Sequence, residues 1–100
     1  MQTFSTRLRS ERKRLALTQA EIARRCGVSR EIWCRYEQGK NLPGCKVMQA
    51  FLNAGGNVSF VFSGSVRTEE TWIIERFRVC PKPIQEAILR ALRVEHRITG

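Results

Sequence analysis

Apolar residues in the first half of the chain recur at three- and four-residue spacing, which is typical of short amphipathic helices. This pattern predicts four helices, over residues 3–15, 19–26, 30–38 and 45–54. We expect their inward faces to carry the larger apolar side chains, namely Phe4, Leu8, Leu15, Ile22, Met48 and Phe51. The first half of the chain is therefore predicted to be all-α, with its core formed between helices.

The second and third helices are separated by a turn only a few residues long. Thr18 is a suitable N-cap for the second helix, and Glu21 completes a capping box three residues later. Gly27 can adopt the left-handed backbone in which many helices end, and Ser29 can cap the next helix. These residues predict two short helices held at a fixed angle, an arrangement used to read DNA.

Residues 17–43 resemble the Xre family, the phage repressor and Cro-like helix-turn-helix regulators. The matching residues are Leu17, Thr18, Gln19, Glu21, Ile22, Ala23, Gly27, Val28, Ser29, Arg35, Tyr36, Glu37, Gly39 and Pro43. The resemblance implies a mainly α, five-helix lambda repressor-like DNA-binding domain. It extends loosely to residue 64, so we predict a DNA-binding domain over 1–64 and a C-terminal helical extension over 65–100.

Positive charge is concentrated in the same segment. The chain has a formal net charge of +9, and residues 1–46 contain eleven lysines and arginines against four acidic residues. An excess of this kind on one segment indicates where a polyanion would dock.

The third helix has an exposed polar face suited to the major groove. Four residues share that face, namely Glu31, Cys34, Arg35 and Gln38, while Trp33 and Tyr36 are expected in the core. Arginine can donate two hydrogen bonds to guanine, and glutamate can accept one from cytosine. The resemblance implies that Arg30, Glu31 and Arg35 contact bases; the alternative for Glu31 is an exposed ion pair with Arg35.

Phosphate contacts are expected from helix N-termini and from the loop after the third helix. The candidates are Thr18, Gln19, Ser29, Gln38 and Lys40. By resemblance to the family, Gln19 is the usual phosphate clamp. The resemblance also implies that Arg12 and Glu37 form a buried, structural ion pair.

Residues 57–62 are predicted to form a short β-strand. Val58 to Phe62 alternate and are rich in β-branched and aromatic residues, and two glycines precede them. A lone strand needs a partner, and a two-fold related copy would supply one. The alternative is a helix that completes the core.

The last third of the chain predicts a helical hairpin. Thr68 can cap one helix, and Pro83 can begin a second. The apolar faces must be buried against the chain's own N-terminal domain, a partner subunit, or both. Together with the predicted strand, these faces give the dimer-interface candidates, which are Val58, Phe60, Phe62, Trp72, Ile73, Phe77, Ile84, Ile88 and Leu92.

Other chemistries find little support in the sequence. The four cysteines form no C-x-x-C pair and are accompanied by one histidine, so we expect neither a metal site nor a disulfide. There is no Ser/His/Asp set and no phosphate-cradling glycine loop, so we expect no enzymatic activity and no cofactor. No apolar stretch is long enough to span a membrane, and a cytoplasmic location is expected.

The sequence thus predicts a homodimeric transcriptional regulator of phage or prophage type, acting as a repressor on a near-palindromic double-stranded DNA operator. The alternative is an antitoxin-type DNA-binding protein whose C-terminal helices bind a partner protein.

Overall fold

The computed structural model describes residues 3–63 and 77–99, with side chains described as far as residue 91. The described residues form six α-helices and one 3₁₀ turn. These are α1 (Phe4–Arg14), α2 (Gln19–Cys26), α3 (Arg30–Glu37), α4 (Cys45–Asn53), α5 (Val58–Ser63), the 3₁₀ turn Phe77–Val79, and α6 (Lys82–Thr99). The mainly α fold is confirmed.

The first four helices begin and end close to their predicted limits, and local capping fixes both ends of α2 and the start of α3. The Thr18 hydroxyl accepts a hydrogen bond from the Glu21 amide at 3.1 Å, and the Glu21 carboxylate accepts one from the Thr18 amide at 3.0 Å. Gly27 ends α2 with a φ of +73°. The Ser29 hydroxyl accepts from the Ile32 amide at 3.1 Å and so begins α3.

One continuous core joins the helices. α2 packs against α3 and α4, α1 packs against α3 and α5, and α6 covers α5 and α4. The fully buried large side chains are Leu8, Ile22, Trp33, Pro43, Met48, Phe51, Val58, Val61, Phe62, Ile84 and Ile88. These come from both sides of the predicted division at residues 64 and 65, and that division stays a prediction.

The β-strand predicted over 57–62 is wrong, because the segment forms α5. Val58, Val61 and Phe62 lie at helical spacing and are all buried against neighbouring helices. The Asn57 side-chain oxygen accepts from the Phe60 amide at 3.0 Å and so caps the helix. The described residues contain no strand, so nothing in this segment is available to form a two-stranded ribbon between subunits.

A buried carboxylate, which was not predicted from the sequence, holds the start of α5. Glu11 accepts a hydrogen bond from the Asn57 amide at 2.7 Å and two from Arg14 at 2.8 and 2.9 Å. Arg14 also donates to the Gly55 carbonyl at 2.9 Å. The last turn of α1 therefore fixes the chain just before α5.

The C-terminal helix is buried against the chain's own N-terminal domain. Ile84, Ala87, Ile88 and Ala91 all face inward toward α5 and α4. Pro83 lies in the first turn of α6, as predicted. Of the alternatives left open for this apolar face, the structure shows the intramolecular one.

That packing excludes four of the residues predicted to lie at a dimer interface. Val58, Phe62, Ile84 and Ile88 are buried inside the single chain and offer no surface to a second copy. Phe60 and Phe77 are half-buried. The remaining candidates, Trp72, Ile73 and the side chain of Leu92, lie outside the described residues, as does the helix expected after Thr68.

The expectation of four free thiols is also wrong. Cys45 and Cys80 form a disulfide whose two Cα atoms are 5.2 Å apart, whereas Cys26 and Cys34 are free. The two bonded cysteines are separated by 35 positions, so local spacing gives no sign of the pairing. In the described part of the chain, no helix is both long and apolar enough to cross a membrane.

Candidate nucleic-acid interface

The orientation of α3 is set by its two aromatic residues. The Trp33 ring packs edge-on against Tyr36, with 5.7 Å between centroids, and lies 5.9 Å from the Phe51 ring of α4. Both Trp33 and Tyr36 are buried, as predicted. Because this face of α3 is anchored in the core, the opposite face is turned outward.

The outward face of α3 borders an open cleft of about 360 Å³, which we call the α3 cleft. Seven residues line it, namely Gln19, Arg30, Glu31, Cys34, Arg35, Gln38 and Lys40. The cleft therefore brings together residues from the start of α2, the whole of α3 and the loop that follows it.

The α3 cleft contains most of the residues predicted to contact DNA. All three candidates for base contact lie in it, and so do three of the five candidates for backbone contact, Gln19, Gln38 and Lys40. Thr18 and Ser29 do not line it. Their hydroxyls instead accept hydrogen bonds from the helix amides that they cap.

The charge of the cleft suits an anionic ligand with acceptor atoms. Arg30, Arg35 and Lys40 supply three positive charges, and Glu31 supplies one negative charge. All four side chains belong to exposed residues. Exposed guanidinium groups can donate two parallel hydrogen bonds to a base or a phosphate, and a carboxylate can accept from an amino group.

Glu37, on the inner side of α3, links the cleft to the rest of the domain. Its carboxylate accepts from Arg12 Nε at 2.6 Å, from Arg12 Nη2 at 3.2 Å and from the Gln19 amide nitrogen at 3.1 Å. The indole N–H of Trp33 also donates to it. The ion pair expected between Arg12 and Glu37 is thus the centre of a larger network.

The network determines the charge state of Glu37. Burial alone would raise the pKa of this carboxyl group, but the hydrogen bonds from Arg12, Gln19 and Trp33 outweigh burial and hold the pKa below its ordinary value. Glu37 therefore stays ionised at neutral pH, and it fixes Gln19 at the edge of the cleft.

The contacts of Trp33 and Gln19 with Glu37 were not predicted from the sequence. Trp33 and Glu37 are four residues apart on one helix, a spacing that brings two side chains within reach. That signal was present in the sequence. The Gln19 contact joins two helices and has no local signal.

The family model of the helix-turn-helix domain matches residues 3–56. The chain belongs to the helix-turn-helix domain family. No curated protein and no solved structure matches it. This family assignment supports a DNA-binding regulator.

The match to the helix-turn-helix domain covers α1 to α4 and every residue of the α3 cleft. Helices α5 and α6 lie beyond it, although they complete the same core. The α3 cleft therefore lies entirely within the helix-turn-helix domain.

Proposed function

We propose that this protein is a sequence-specific transcriptional regulator of the Xre, phage repressor and Cro-like type, and that it acts as a repressor. The observation that carries the proposal is the α3 cleft, where basic, acidic and amide side chains line one outward helix face. A major-groove reader requires such a face, because base edges present both donors and acceptors.

In this proposal the residues of the cleft divide into two groups. Arg30, Glu31 and Arg35 project from α3 and read base edges. Gln19, Gln38 and Lys40 lie at the ends of α2 and α3 and in the following loop, where they contact phosphates and set the register of α3 on the duplex. The Glu37 network supports both groups because it ties α3 to α1 and to Gln19.

We further propose that the protein binds as a homodimer to a near-palindromic operator. One small domain makes few specific contacts, whereas two copies place their α3 helices in successive major grooves about 34 Å apart. Repression would then be steric, because the bound dimer blocks access to the promoter. The interface must use residues other than the four candidates that the chain buries in its own core.

We assign this activity to the cytoplasm and propose that it involves no catalytic step and no cofactor. The antitoxin alternative gains no support from the described residues, because α6 buries Ile84 and Ile88 within the chain instead of offering them to a partner protein.

The experiment that tests the proposal is a binding titration of the full chain. Fluorescence anisotropy would compare the DNA upstream of its own gene with random duplex of equal length across a salt series. We expect a preference of about a thousandfold or more, and saturation at two chains per site. Equal affinity for both duplexes, falling steeply with salt, would contradict sequence-specific regulation and leave only charge-driven contact.

A further inference from the structure

The Cys45–Cys80 disulfide attaches the C-terminal helix to the helix-turn-helix domain. Cys45 is the first residue of α4, and Cys80 lies in the turn that leads into α6. The bond closes a loop that contains all of α4 and α5. Neither cysteine lines the α3 cleft, so the bond lies outside the residues proposed to contact DNA.

The two bonded cysteines differ in their exposure to solvent. Cys80 is buried, with 6% of its surface exposed, whereas Cys45 is only partly buried. The Cys45 side is therefore the more open side for the approach of a small thiol.

The surroundings of Cys45 suit the approach of an anionic thiolate. Gly44 caps α4 without a side-chain hydrogen bond, the first turn contains no acidic residue, and Lys46 is the next residue. The first-turn amides thus leave a positive helix end at Cys45, which attracts an approaching thiolate. Thiolate is the reactive species in disulfide exchange.

The remaining cysteines are placed for other roles. Cys26 is buried in the core, and burial raises the pKa of its thiol to about 11, so it stays protonated at neutral pH. Cys34 lies in the α3 cleft, far along the chain from α6. Of the four cysteines, Cys45 and Cys80 are the pair that links two separate elements.

We propose that Cys45 and Cys80 form a reversible exchange site for low-molecular-weight thiols and their disulfides, and that the state of this bond sets how firmly α6 is held on the domain. In the reducing direction, an external thiolate attacks the Cys45 sulfur and Cys80 leaves as a thiolate. A second external thiolate then attacks the external sulfur of the mixed disulfide. This releases the Cys45 thiolate and the external disulfide, so two external thiols are oxidised while one protein disulfide is reduced.

Contacts other than the bond also hold α6 on the domain. Ile84 and Ile88 remain packed in the core, and the Gln85 side chain donates to the Phe77 carbonyl at 2.8 Å. Reduction therefore lowers stability without abolishing the fold. Because the bond closes a long loop, its loss should lower the melting temperature substantially, by roughly 10–25 °C.

The test uses the full chain equilibrated with reduced and oxidised glutathione at several ratios. Thiols would be counted by alkylation in denaturant and mass spectrometry, and each sample would be melted by circular dichroism. We expect four alkylated thiols in the reduced chain and two in the oxidised chain, with a Cys45–Cys80 peptide in the digest. We expect the oxidised chain to melt at the higher temperature.

Matched variants distinguish the effect of this disulfide on melting from the effect of oxidation at other cysteines. Cys45→Ser and Cys80→Ser should each abolish the redox dependence of melting, whereas Cys34→Ser should retain it. Four thiols at every glutathione ratio, a disulfide between two chains, or equal melting of both states would overturn the proposal. The thiol count on the unmodified chain decides the matter even where a serine variant fails to fold.

Discussion

Arg12 on α1 and Glu37 at the end of α3 form an ion pair in which Arg12 Nε lies 2.6 Å from Glu37 Oε2. The two side chains are only 12% and 4% exposed. Arg12 also donates to the Leu17 carbonyl at 2.9 Å, so one guanidinium group joins α1, the α1–α2 turn and α3. The position of the α3 cleft on the domain depends on this pair.

Removal of Arg12 alone should destabilise the domain strongly. Arg12→Met leaves the Glu37 carboxylate buried without its cation, and we expect unfolding to become easier by about 3–5 kcal/mol. Urea denaturation followed by tryptophan fluorescence would measure the change. Arg9→Met, the same substitution at an exposed position of α1, should have little effect. A loss below about 1 kcal/mol for Arg12→Met would show that Glu37 is supported by its other partners alone.

Stability should fall on the acid side of neutrality because of Glu37 and Glu11. The folded chain holds the pKa of both carboxyl groups below the ordinary value of 4.5, so the unfolded chain takes up these protons at a higher pH. For Glu11 the main cause is the hydrogen bond from Arg14. The stabilisation is therefore fully present above about pH 4.5 and is lost as the pH falls through the lower folded values.

Melting temperatures measured from pH 7 to pH 3 would check this dependence. Glu37→Gln should lower stability at pH 7 and flatten the decline below pH 4.5, because it removes one of the two titrating groups. Glu86→Gln, at an exposed position of α6, should leave the decline as it is. An undiminished decline in the Glu37→Gln variant would assign the acid sensitivity to other groups.

Arg35→Ala should weaken operator binding by about 1–3 kcal/mol and relax the preference at one base pair, because Arg35 projects into the α3 cleft from α3 itself. Lys40→Ala should weaken binding to all sequences alike and reduce the salt dependence by about one unit of slope. Anisotropy titrations on single-base operator variants would distinguish the two effects. Arg9→Ala, outside the cleft, is the control; an equal loss on random DNA for Arg35→Ala would remove its base-reading role.

Ala16→Gly should stabilise the domain. Ala16 has a φ of +59°, a left-handed conformation that costs an L-residue about 1–2 kcal/mol. Glycine avoids that cost but loses about 0.5–1 kcal/mol more conformational entropy on folding, which leaves a net gain of up to about 1.5 kcal/mol. Ala20→Gly, within α2, should instead destabilise the domain. Chemical denaturation of both variants would test whether the signs are opposite.

Local chemistry allowed both ends of α2 and the start of α3 to be predicted. Capping by Thr18, Glu21 and Ser29 and the left-handed Gly27 act within four residues along the chain, so the sequence displays them directly. The same holds for the face of α3, because helical spacing separates Trp33 and Tyr36 from the cleft residues. Helical spacing alone therefore identifies the α3 residues of the cleft. Only the placement of Gln19 and Lys40 beside them depends on contacts between separate segments.

Tertiary contacts overrode local preference in α5. Val58 to Phe62 have a high β-propensity, but that preference is weak compared with burial of three large side chains. As a helix, the segment places Val58, Val61 and Phe62 on one face against α1 and α6. Asn57 was a visible N-cap signal that favoured this outcome.

The sequence by itself determined the helix-turn-helix domain and the composition of its outward face, because capping, turn geometry and helical period all act over a few residues. Only the tertiary structure decided that residues 58–63 are helical, that Glu11 is a buried ion-pair partner, that α6 covers its own domain and that Cys45 meets Cys80. Glu11 meets Asn57 across 46 positions and Cys45 meets Cys80 across 35, while the helical state of residues 58–63 depends on burial against α1 and α6. A contact between distant segments forms only when the whole core is assembled, so no local pattern in the chain predicts it.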